Sequence, residues 1–129
     1  MKEIKVRAWH KNIEWDGEGS MHEVLAISFE LGFIFVPLPD EPREYRRLEM
    51  SDCTLRLFTG HLDKNGKELY AGDITKDSTG LCLIAWNDQL ASFCLRRNGW
   101  AFDHFFGEAV NPSDVEVIGN IYENPELLK

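Results

Sequence analysis

The sequence predicts a mainly β protein, with a small barrel or sandwich in its second half and an irregular β or α+β extension before it. Three observations carry this. From residue 74 on, short apolar runs recur at roughly 8–12 residue spacing, each closed by Gly, Asn or Asp, the rhythm of strands and tight turns. Residues 59–74 hold three glycines around a central Asn65-Gly66 pair, with apolar residues on both sides. Asn-Gly is a hairpin signal because both residues tolerate positive φ. Residues 4–9 and 54–58 alternate apolar and polar, the period of a half-buried strand.

The first strand, residues 4–9, places Ile4, Val6 and Ala8 on one face and Lys5, Arg7 and Trp9 on the other. A polar loop follows over residues 11–20. Residues 21–36 admit two descriptions. Met21, Val24, Leu25, Ser28, Phe29 and Gly32 fall at helical spacing, and residues 24–29 equally form a buried strand. Gly32 followed by Phe33-Ile34-Phe35-Val36 favours two strands, because aromatic and β-branched residues suit a pleated surface. Pro37, Pro39 and Pro42 then disfavour helix, so residues 37–47 are expected as an extended charged loop, an arm able to reach another subunit.

The alternating strand 54–58 leads into the glycine-rich hairpin. Asp63, Lys64, Lys67 and Glu68 form its charged tip, Leu62 and Leu69 are expected to pack at its base, and Gly60 and Gly72 serve bends. Asp73 is placed to cap a turn through its side chain. Strands are then expected at 74–76, 81–86, 90–95, 100–106 and 115–118, with turns at 77–80, 87–89 and 96–99 and a loop at 107–114. Pro125 after Asn124 starts one short helical turn.

With 129 residues, a single domain over 1–129 is expected, divided into an N-terminal extension at 1–53 and a barrel portion at 54–129. A hydrophobic content of 43% places the chain among folded proteins. The net charge of -8 argues against nonspecific phosphate binding, which rests on Lys and Arg. No apolar run approaches the length of a membrane-spanning helix, and residues 1–7 lack the apolar core of a signal peptide, so the expected compartment is the cytoplasm. Cys53, Cys82 and Cys94 match neither a disulfide framework nor a zinc spacing and are expected to be reduced, small apolar residues.

No motif for chemistry rises from the residues. His61, Asp63 and Asp73 lie near one another in sequence, and His10, His22 and His104 are scattered, without HExxH or paired CxxC spacing. No GxSxG, GxGxxG or Walker pattern occurs. Catalytic, cofactor-binding and metal-binding residues are therefore all expected to be absent, and no cofactor is expected. The sharpest candidate site is residues 100–106, Trp100-Ala101-Phe102-Asp103-His104-Phe105-Phe106, preceded by Arg96-Arg97. Such aromatics with flanking arginines can stack on single-stranded nucleic acid. Against the net charge of -8, Trp100 and Phe102 are expected instead to fill the core, with Phe105 or Phe106 at an interface.

Three blocks carry a family resemblance. Thr59-Gly60, Asp63-Lys64-Asn65-Gly66-Lys67-Glu68-Leu69-Tyr70 and Gly72-Asp73-Ile74 form the central block; Arg7-Ala8-Trp9 with Met21 opens the chain; Val117-Ile118-Gly119-Asn120-Ile121-Tyr122-Glu123-Asn124-Pro125-Glu126-Leu127-Leu128 closes it. Together they resemble the YopX family, small proteins encoded by phages and prophages, mostly of Gram-positive bacteria. Two positions depart from the pattern. His61 stands where an apolar residue is expected, the apolar role then falling to Leu62, and Ala71 stands in place of an acid. The resemblance implies an SH3-like barrel in the C-terminal portion and a homo-oligomer, and it brings no catalytic residues. The expected function is that of a non-enzymatic accessory protein working through self-assembly and contacts with phage or host proteins. The alternative is a nucleic-acid-binding module using Arg96, Arg97 and the aromatics of 100–106.

Overall fold

The computed structural model describes residues 5–11, 19–38, 40–41, 43–106 and 111–128. Among these the chain is mainly β, with no α-helix. It divides into two compact units, one over Ile4–Leu57 and one chiefly over Phe58–Lys129.

The first unit holds β1 (Val6–His10), β2 (Ser20–Glu23), β3 (Ala26–Ser28), β4 (Phe33–Pro37), β5 (Tyr45–Glu49) and the beginning of β6 (Cys53–Leu62). β1 lies between β2 and β6, both antiparallel to it, and β4 lies between β3 and β5 in the same way. Alternation puts Ala8 on the inner face of β1 and Ile34, Val36 and Leu48 on the inner faces of β4 and β5. These four are buried, and Val24, Met50, Cys53 and Leu55 pack around them. The two-strand reading of residues 21–36 is borne out in β3 and β4, and the polar strand β2 is added before them.

The proline-rich loop is shorter than expected. Tyr45, Arg46 and Arg47 belong to β5 and pair with Pro37, Val36 and Phe35. Leu38 N–H donates to Glu44 O (3.2 Å) and Glu44 N–H to Glu41 O (2.9 Å). Leu38 and Glu44 thus pair across a hairpin connection instead of opening an extended arm; Pro39 and Pro42 of the expected loop lie outside the described residues. Backbone pairing with a neighbouring apolar strand overrides the charge of the segment.

The second unit begins with the remainder of β6, followed by β7 (Glu68–Tyr70), β8 (Asp73–Asp77), β9 (Gly80–Asn87), β10 (Ser92–Arg96), β11 (His104–Phe105) and β12 (Glu116–Asn120). A five-stranded antiparallel sheet runs in the order β11-β10-β9-β8-β12. One face carries the buried cluster Cys82, Ile84 and Leu95, with Trp100 and Phe106 against it. The three cysteines are free thiols, Cys82 and Cys94 buried and Cys53 half-buried; burial pushes the Cys53 thiol up to about 11, with Asp52 adding to the shift.

The strand expected over 100–106 is reduced to the two residues of β11. Residues 97–103 form a loop that β10 does not pair. Trp100 reaches the core from that loop as expected, whereas Phe102 is 81% exposed and does not.

The closing segment explains its own composition. Asn120 Oδ1 accepts from the N–H groups of Tyr122 (3.0 Å) and Glu123 (2.8 Å), and Asn124 N–H donates back to Asn120 O (2.8 Å). Pro125 then opens the 3₁₀ turn Pro125–Leu128. Gly119 lies under this turn. A Cβ there would meet Asn124 Oδ1 at 2.6 Å and Leu127 Cδ1 at 2.9 Å. Gly119→Ala should therefore push the turn off β12 and destabilise the protein by about 1–3 kcal/mol, read as a lower urea midpoint at unchanged slope.

Candidate functional site

The glycine-rich hairpin is a junction built on one carboxylate. Asp63 is 5% exposed. Its Oδ1 accepts from the N–H groups of Asn65 and Lys67, both at 2.8 Å, and its Oδ2 accepts from Val117 N–H at 3.0 Å. Lys64 N–H donates to Val115 O (2.9 Å) beside it. The first pair shapes the turn, and the other two contacts fasten it to β12 at Val117 and to Val115 just before that strand. Burial pushes the Asp63 carboxyl up, but the hydrogen bonds from Val117, Lys67 and Asn65, with the charge of Lys67, hold it below the usual carboxylate range. Gly60, Gly66 and Gly72 take φ of 89°, 80° and 91°, conformations that a side chain resists. Asp73 closes the far end, its Oδ2 accepting from Tyr70 N–H at 2.8 Å, as its position beside Gly72 predicted.

At the base, Leu69 is buried but Leu62 is 51% exposed. The apolar contact is made by His61, whose ring lies 5.1 Å from that of Phe106. The expected transfer of this role to Leu62 is therefore corrected: His61 fills it with its ring face.

The candidate metal and acid–base residues take separate structural places. His61 packs on Phe106, His104 lies 4.3 Å edge-on to Trp100, Asp63 holds its loop and Asp73 holds Tyr70. Among the described residues no three His, Cys, Asp or Glu side chains gather at metal-binding distance. One close hydroxyl–imidazole pair was not anticipated: Ser20 Oγ and His22 Nε2 are 2.7 Å apart. Burial, then the charges of Arg46 and His10, push the His22 imidazole below its ordinary value. Its signal was the i, i+2 spacing on a strand, which sets both side chains on one face.

Both arginines of the nucleic-acid candidate are engaged with carboxylates. Arg96 forms a bidentate pair with Asp103, Nε to Oδ1 at 2.9 Å and Nη2 to Oδ2 at 2.7 Å. Arg97 Nη2 donates to Asp77 Oδ2 (3.1 Å), Nη1 to Thr79 Oγ1 (2.9 Å) and Nε to Leu81 O (3.0 Å), while its guanidinium lies 4.6 Å over the Trp100 ring. Trp100 is thereby covered by Arg97 and His104, and Phe106 by His61. Phe102 and Phe105 remain exposed, at 81% and 39%.

Among the described residues, further large exposed apolar side chains lie on the β3–β4 hairpin, just before it and at the start of β5. Leu25 is 57% exposed, Phe29 75%, Leu31 68% and Tyr45 61%. Leu25 and Tyr45, with Ala26 and Phe35, line a shallow groove of about 300 Å³. Phe29 and Leu31 stand in the tight turn between β3 and β4, closed by Gly32 N–H donating to Ser28 O (2.8 Å). Sequence patterning placed Leu25 and Phe29 in a buried strand over 24–29 and Tyr45 in the loop 37–47; the turn that everts Phe29 and Leu31 was hidden because neither is a turn former.

Comparison with known proteins places the chain. A family profile described as YopX protein matches residues 7–129. Among solved structures the chain is similar to the crystal structure of protein EF1440 from Enterococcus faecalis, with a TM-score of 0.64 and 25% identity over 100% of both chains. No curated protein matches it.

Proposed function

The chain belongs to the YopX family, and we propose that it is a non-catalytic phage or prophage accessory protein that acts by self-association and contact with other proteins. The observation that carries this is the exposed apolar side chains of the β3–β4–β5 sheet: Leu25, Phe29, Leu31 and Tyr45 are all more than half exposed within residues 25–45 of the first unit. Large apolar side chains concentrated in this way mark interaction surfaces. The second unit, with its five-stranded antiparallel sheet and the β6–β7 pair, is assigned as the SH3-like small barrel of the family. The described residues include no helix long and apolar enough to cross a membrane, and the working compartment is the bacterial host cytoplasm.

Sedimentation at micromolar concentration should report a species heavier than the 14.9 kDa chain. Phe29→Ser combined with Leu31→Ser changes two exposed side chains and should weaken association at least about tenfold, equivalent to about 1.4 kcal/mol, at unchanged melting temperature. A wild-type protein that sediments as a monomer throughout removes self-association. The nucleic-acid reading is disfavoured because Arg96 and Arg97 are both paired with acids.

A further inference from the structure

Asn-Gly occurs twice in the chain, at residues 65–66 and 98–99. In such a pair the glycine nitrogen can attack the asparagine side chain, because glycine has no Cβ to block the approach. Both pairs sit in tight turns of the second unit, and all four residues are exposed, so accessibility does not separate them. Their hydrogen bonding does.

Gly66 is the last residue of its turn and supplies the bond that closes it, its N–H donating to Asp63 O at 3.0 Å. Asp63 Oδ1 holds the N–H groups of Asn65 and Lys67 on either side, both at 2.8 Å. The nitrogen that would attack is thus itself tied, between two anchored amides. Gly99 has the other place. Its turn is closed by Trp100 N–H donating to Arg97 O at 3.1 Å. Gly99 takes φ of 92° and Asn98 has no positive φ, so the turn is type II, and Gly99 N–H lies in its central peptide. That N–H donates to no described residue, and Asn98 makes no hydrogen bond to one. A Cβ on Gly99 would meet nothing within 4 Å, so no group packs on that side of the peptide.

We propose that Asn98 is a site of spontaneous covalent modification, and that the same dipeptide at Asn65 is protected by the Asp63 turn. The Gly99 amide gives its proton to hydroxide and its nitrogen bonds to Asn98 Cγ. The Cγ–Nδ2 bond breaks as Nδ2 takes a proton from water and leaves as ammonia. Water then opens the five-membered imide. Opening at the former side-chain carbonyl leaves aspartate at position 98 on an ordinary backbone. Opening at the backbone carbonyl leaves isoaspartate, with the main chain routed through the former side chain. The isoaspartate path adds a methylene between Arg97 and Trp100. It breaks the turn bond that sets Trp100 against Cys82, Ile84 and Leu95. The change runs one way and is confined to the loop that carries Trp100.

The test follows both sites in one sample. The full chain is kept folded at mildly alkaline pH, digested and mapped by mass spectrometry, with isoaspartate scored by an isoaspartyl methyltransferase. Modification at Asn98 should be at least about tenfold faster than at Asn65, because freeing Gly66 N–H requires local opening of a turn held by three hydrogen bonds. In the urea-unfolded chain the two rates should converge. Asp63→Ala should raise the Asn65 rate severalfold and leave the Asn98 rate unchanged. Asp63→Asn, whose carbonyl keeps the turn contacts, should leave both near wild type. Aged wild type should lose near-ultraviolet tryptophan dichroism that aged Asn98→Gln retains. Folded-state rates that are equal, or faster at Asn65, overturn the proposal. So does a ratio of the two rates that urea leaves unchanged, or an Asn65 rate that Asp63→Ala does not raise.

Discussion

Asp63→Ala should lower the stability of the protein by about 3–4 kcal/mol, the sum of three charge-assisted hydrogen bonds discounted for their coupling. The substitution removes the acceptor for Asn65, Lys67 and Val117 together, and Asp63 is 5% exposed, so water replaces it poorly. Thermal unfolding should shift down by roughly 10 °C. Asp63→Asn separates the two jobs of the side chain. Its carbonyl oxygen can still take Asn65 and Lys67, keeping the turn. Its amide would face the Val117 N–H donor to donor, so that contact is lost while the Lys64 to Val115 backbone bond remains. Amide exchange should then accelerate at Val117 more than at Asn65. The pH dependence has a fixed sign. The folded carboxyl lies below its ordinary value of 3.8, so its stabilisation is present in full above that pH and is lost as pH falls through the folded value. The wild type should lose stability in this acid range, and Asp63→Asn should show a flatter profile there. An alanine variant as stable as the wild type would show that Asp63 does not hold the junction.

The dense charge and glycine of residues 59–74 could have marked a catalytic loop; the structure assigns them to geometry. How much of that was legible depends on distance along the chain. The Asn65-Gly66 turn, the bends at Gly60 and Gly72 and the cap at Asp73 are local, and local chemistry announces them. The bond from Asp63 to Val117 spans 54 residues, and no pattern in either segment points to the other. The same holds for the partners of the arginines: Asp103 lies 7 residues from Arg96, and Asp77 lies 20 from Arg97. Strands from Asp73 to Arg96 were legible because Gly80 and Asn87 punctuate apolar runs. β2 and β5 were not, because Ser20-Met21-His22-Glu23 and Tyr45-Arg46-Arg47 are polar and are made strands by their neighbours. Phe102 was misplaced for the converse reason. An aromatic run reads as core until the loop that carries it fails to pair.

Arg97→Ala should cost about 3 kcal/mol, because it breaks a largely buried ion pair and leaves the other member behind. The side chains of Arg97 and Asp77 are only 17% and 4% exposed. Burial pushes the Asp77 carboxyl up, yet hydrogen bonds from Thr79 and the Arg97 charge keep it below the usual range. Without Arg97 the carboxylate keeps Thr79 but loses its counter-ion, Leu81 O loses a donor, and Trp100 loses the cation over its ring. Arg97→Lys restores charge without the fork and should recover less than half of the loss. Paired removal of Arg97 and Asp77, as Arg97→Met with Asp77→Asn, should be milder than Arg97→Ala alone, since no unpaired charge then remains. The same variants decide between the two functional classes. If Arg97 serves the fold, urea midpoints move in this order and the protein shows no salt-dependent affinity for single-stranded oligonucleotides before or after substitution. If it serves phosphate contact, Arg97→Ala leaves the midpoint near that of the wild type and abolishes a salt-sensitive affinity. The bonds that Arg97 makes at Asp77, Thr79 and Leu81 favour the first outcome, because a guanidinium held on three sides has little left to offer a phosphate.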